Sequence, residues 1–175
     1  MQFELKSISE DSIPEALAKV ERYRLLNEPV LAESICLDIL AIHPDHHQAL
    51  VSLLLARTDQ FHSDAQPKAA LEVLAQIKGD YEQAYYAGII WERLGHARMR
   101  LGDPGARVSG YHALLEAMSH YERAIPQAPH GNDDAILRWN TCARTIMQNP
   151  DIQPSSEHDP HAWLHDEAGP VIADV

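Results

Sequence analysis

Two pairs of side chains have the types and spacing to do chemistry. Glu92 and His96 stand four residues apart, and so do Glu116 and His120. On a helix that interval puts both members of a pair on one face. Two carboxylates and two imidazoles would suit a divalent transition metal. The di-iron helical bundles use a different spacing, Glu-x-x-His, and it is absent here. The simpler reading of each pair is a solvated side-chain interaction on a helix surface. A helical metal-binding protein or metal-dependent enzyme using Glu92/His96 and Glu116/His120 is therefore the alternative reading of this chain.

The chain has eleven histidines. Three lie in "HPDHH" at 43–47, where turn and cap chemistry account for Pro44 and Asp45 and leave the imidazoles exposed. His158, His161 and His165 lie in an acidic stretch and could bind a transition metal weakly. The two cysteines, Cys36 and Cys142, share no motif and read as small core residues. No nucleophile elbow, P-loop or dinucleotide fingerprint occurs. The segment "GDPGARVSG" at 102–110 has the glycines of a phosphate loop but not its G-K-[ST] ending. The expectation is a non-enzymatic protein without a cofactor or a metal.

The formal charge of −12 argues against a nucleic-acid partner, which needs a basic footprint. The longest apolar run, "ALVSLLLA" at 49–56, is too short to span a bilayer, so no membrane partner is expected. The start, "MQFELKSISEDSIPE", has neither the basic nor the apolar region of a signal peptide. With two unpaired cysteines this predicts a cytoplasmic setting. At 175 residues the chain can bury about two-thirds of its unfolded surface, so it can fold without metal or disulfide.

The elements that must position these residues are helical. Periodicity predicts helices at 13–26, 29–42, 46–61, 67–78, 80–101, 111–125 and 132–148. The breaks are "NEP", His43-Pro44 with Asp45 as the next cap, "HSDAQ", Gly79, "GDPGARVSG" and "PQAPHGN". No strand signal occurs. Residues 1–148 read as one helical domain. Residues 149–175 carry six acidic groups, four prolines and no Lys or Arg, and read as a flexible tail. A short docked turn around "HAWLHD" is a variant of that reading.

Seven helices with short connections suggest stacked hairpins. "WERLG" places Trp91, Leu94 and Gly95 on a first helix; Ala117, Tyr121, Ala124 and Pro129 follow on a second. This resembles the tetratricopeptide repeat, W-x₂-L-G-x₂-Y then A-x₃-F and Pro. About ten extra residues separate the two helices relative to the family's spacing. Tyr23, Ala32, Cys36 and Pro44 fit the pattern more loosely, with Ile39 where the family prefers Ala. Leu50, Leu53, Ala70 and Leu74 are compatible with a further unit.

The resemblance implies an all-α, right-handed superhelix of stacked helical hairpins. It also implies a scaffold whose first helices line a concave groove for a peptide or partner helix. In that register Glu92, Arg93 and His96 face the groove, with Arg24 and Arg138 as further candidates. The Lys, Asn and Arg set of the family's carboxylate clamp has no counterpart here. A third reading is a homo-oligomer pairing through terminal faces marked by Trp139 and Trp163.

Overall fold

The computed structural model describes residues 3–62, 66–100 and 104–153. The histidines of the acidic stretch, Trp163 and the "HAWLHD" turn lie outside them. The described residues form seven α-helices packed against one another, with no strand.

Local chemistry sets the helix ends. Helix α1 (Ile13–Leu25) has Pro14 in its first turn, where a missing N–H costs nothing. It stops at Asn27, whose φ is 58°. The N–H of Glu28 bonds Tyr23 O at 2.8 Å, and that of Asn27 bonds Arg24 O at 3.1 Å. This pairing closes a helix through a left-handed residue, a position asparagine tolerates. Pro29 then opens α2 (Pro29–Ile42).

Helix α3 (His47–Asp59) is capped by His46, not by the expected Asp45. The His46 Nδ1 accepts from Ala49 N at 3.3 Å. Helix α4 (Lys68–Leu74) is shorter than the expected 67–78. Its exit carbonyls accept from Gln83 instead: the side-chain Nε2 bonds Leu74 O at 2.7 Å and also Ile77 O. Gly79, at φ 103°, turns the chain into α5 (Asp80–Met99). Helices α6 (Pro104–Ala124) and α7 (Asp134–Gln148) follow.

The loop expected at 102–110 is corrected by α6, which begins at Pro104. Gly110 there serves helix packing. A Cβ on Gly110 would come 3.0 Å from Gly95 O, and one on Gly95 would come 3.0 Å from Gly110 O. The backbones of α5 and α6 therefore cross at a glycine pair that leaves no room for side chains. From Pro104 onward the expected connection instead lengthens α6.

Ala117, Tyr121 and Ala124 are fully buried. The residue that makes room for the Tyr121 ring is Gly88 of α5. A Cβ on Gly88 would lie 2.6 Å from Tyr121 Cδ1 and 2.8 Å from Cζ. Gly88→Val should therefore displace the ring and cost about 1–3 kcal/mol, read as a lower urea midpoint. An unchanged midpoint would show that the ring packs elsewhere.

Each helix packs on the next, and α3 also touches both α1 and α5. One core runs through Val20, Cys36, Leu54, Val73, Ile90 and Leu94. A second joins Ile89 of α5 to Leu114 and Tyr121 of α6 and Cys142 of α7. Helix α5 contributes to both and so joins the two cores. The second core also takes in Ile152, within a 3-10 turn at Pro150–Ile152, and Asp151 pairs with Arg107. The start of the expected flexible tail is thus docked on α6.

Candidate functional site

The C-terminal ends of α1 and α3 meet the second half of α5. Asp59 is the last residue of α3, at the negative end of the helix dipole, where a lone carboxylate is unfavourable. Two arginines answer it. Arg24 Nε lies 2.7 Å from Asp59 Oδ2, and Arg93 Nη1 lies 2.6 Å from Oδ1. The same Arg93 nitrogen donates to Thr58 Oγ1 at 2.6 Å and Leu55 O at 3.0 Å. Burial pushes the Arg93 pKa down, and Asp59 works against that shift.

One residue earlier on α5, Glu92 points inward and is only 5 % exposed. A buried carboxylate needs partners for its oxygens. Tyr121 of α6 donates its hydroxyl to Oε2 at 2.5 Å, and Arg138 of α7 donates Nη1 to Oε1 at 3.0 Å. Burial raises the Tyr121 pKa, and the Glu92 charge raises it further. The phenol therefore stays protonated and remains a donor. Burial opposes the Arg138 charge, but Glu92, Tyr121 and Tyr85 together more than offset it, so the guanidinium pKa is raised.

Of the five groove candidates, Arg24 and Arg93 share Asp59, and Glu92 and Arg138 pair with each other. His96 Nε2 lies 4.0 Å from Glu92 Oε1. The five come from α1, α5 and α7 and fall into two clusters that adjoin at Glu92 and Arg93: Arg24 and Arg93 on Asp59 of α3, and Arg138 and His96 beside Glu92. Glu92 is corrected from a groove-lining residue to a buried one: it can influence a ligand only through Arg138 or His96. Spacing alone missed three members. Thr58 and Asp59 carry no motif, and Arg100 follows α5. With Phe61, Arg93 and His96 they line a cleft of about 270 Å³. An acid at a helix C-terminus was the one available signal, since it calls for a cation.

The metal alternative does not assemble. Among the described residues no three His, Cys, Asp or Glu converge as a donor set. Glu92 is committed to Tyr121 and Arg138, while Glu116 and His120 form a separate pair at 3.3 Å on α6. Burial pushes both cysteine thiols up to about 12, far from the thiolate that nucleophilic chemistry needs. Trp139 donates to Glu122 Oε1 at 2.9 Å, which places it on the seam between α7 and α6.

His96 gives the site a pH dependence. Burial lowers its pKa below the usual 6.5, and Glu92 opposes that shift. The unfolded chain therefore binds this proton at a higher pH than the native protein does. Stability should fall as pH drops below about 6.5. His120 is lowered by burial in the same sense. His96→Gln should flatten part of the decline in urea midpoints between pH 7 and 5; an identical slope would exclude His96 as its source.

No protein-family model, curated protein or solved structure matches the chain. Among the described residues no helix is long and apolar enough to cross a membrane.

Proposed function

We propose that this chain is a cytoplasmic, non-enzymatic adaptor that holds a peptide or partner helix against the face made by its alternate helices. The fold would be a short tetratricopeptide-like stack, with α1, α3, α5 and α7 as first helices. One observation carries the reading: ion pairs tie Arg24 of α1 and Arg93 of α5 to Asp59 of α3, and Arg138 of α7 to Glu92 of α5, so these four helices set two polar clusters side by side at Glu92 and Arg93. Side chains from distant parts of the sequence converge there beside an open cleft, as a binding surface requires. The buried, protonated thiols support a non-catalytic role.

The test must spare the residues that hold the helices together. Arg93 and Arg138 are engaged in internal pairs, so changing them would confuse folding with binding. His96 and Arg100 line the cleft and lie outside the core. A peptide array probed with the wild-type protein and with a His96→Ala/Arg100→Glu variant separates the two effects. Captured peptides should bind the variant at least about tenfold more weakly, about 1.4 kcal/mol, with unchanged circular dichroism. Equal binding of every captured peptide would overturn the assignment of this face.

A further inference from the structure

We infer that the arginine-rich face is the docking place of the chain's own acidic segment, residues 154–175. The inference rests on reading that face as a binding surface and names its first occupant. Four arginines, Arg24, Arg93, Arg100 and Arg138, face two carboxylates there, Asp59 and Glu92. The face therefore carries two positive charges in excess on a chain whose formal charge is −12. An acidic segment is repelled by most of this molecule and attracted here.

The cleft has donors to spare. Arg93 uses one nitrogen, Nη1, for all three of its bonds among the described residues. Its Nε and Nη2 make none there. Arg100 is exposed, and its bond to Phe61 O is long, at 3.5 Å. Guanidinium groups with N–H donors in reserve recognise carboxylates in a two-pronged geometry. Phe61 adds an apolar wall beside them.

The segment matches that chemistry. It holds Glu157, Asp159, Asp166, Glu167 and Asp174, with no Lys or Arg. Trp163 and Leu164 stand between the acidic groups and supply an apolar anchor. It leaves the helical domain just after Ile152, which is buried, and Asp151, which Arg107 holds. Its attachment point is therefore fixed. Twenty-two residues can extend to roughly 75 Å, against about 30 Å for the length of α5, so reach does not limit the contact. Tethering supplies an effective concentration on the order of millimolar. Exposed ion pairs are individually weak and are screened by salt. The contact would be reversible, and an acidic partner could displace it.

A nitroxide on Ser156→Cys tests this in the full-length chain. Cys36 and Cys142 are buried, so the label goes to the new thiol. In low salt the backbone amide signals of Arg93, His96, Arg100 and Arg138 should be selectively broadened. The broadening should disappear in 1 M salt, where the Debye length is about 3 Å. It should also disappear when Glu157, Asp159, Asp166 and Glu167 are replaced by Gln or Asn. Broadening spread evenly over α2, α4 and α6 would overturn the inference. So would broadening of the arginine face that survives neutralisation of the segment. The array experiment detects peptides added from outside, so this contact and the adaptor reading can fail separately.

Discussion

Tyr121→Ala should lower the free energy of unfolding by about 3–5 kcal/mol, the largest loss expected of any single change in this chain. The ring is fully buried where α5, α6 and α7 meet. Its removal leaves a cavity against Gly88, which has no side chain to move into the space. It also takes the hydroxyl away from Glu92 Oε2. Tyr121→Phe separates the two effects, because it keeps the ring and removes only the donor. That variant should lose about 1–3 kcal/mol, the cost of an unsatisfied buried polar atom. Equilibrium urea unfolding of the two variants beside the wild type reads both. Equal midpoints for all three proteins would contradict the placement of this side chain.

Glu92→Leu should cost about 2–4 kcal/mol. Breaking a buried ion pair leaves the partner charge without compensation. Arg138 is about one-third exposed, so part of its charge can turn to water, which moderates the loss. The Tyr121 hydroxyl loses its acceptor at the same time. The damage should be local before it is global. Amide hydrogen exchange in α7 should accelerate more than in α2 or α3, because Glu92 is the polar tie between α5 and α7. Uniform acceleration across all helices would mean that Glu92 serves the core as a whole.

Much of the fold was legible as local chemistry. Pro14, the "NEP" break, Pro44 and Gly79 punctuate the chain where helices end. Ala117, Tyr121 and Ala124, picked out by their likeness to a repeat pattern, are fully buried. The stretch at 104–110 misled because glycine and proline are poor helix formers in isolation. Gly110 lies within α6, where its missing side chain lets α6 approach Gly95 of α5, a long-range fact that propensity does not contain. The same limit applies to the site. Arg24, Arg93, His96 and Arg138 could be named as candidates from helical register. Their pairings could not, since Asp59 lies 34 residues from Arg93 and Arg138 lies 46 from Glu92. Glu92 looked like half of a solvated pair with His96, and only the arrival of Tyr121 and Arg138 explains its burial.

A double-mutant cycle on Glu92 and Arg138 tests most directly whether α7 is clasped to α5 beside the cluster of Arg24, Asp59 and Arg93. Glu92→Leu, Arg138→Met and the combined variant are unfolded in urea beside the wild-type chain. The pairing at 3.0 Å predicts that the double variant is more stable than the sum of the two losses implies, with a coupling of at least about 1.5 kcal/mol. Losses that add to within about 0.5 kcal/mol would show that the two residues do not meet, and the continuous face would be lost with them.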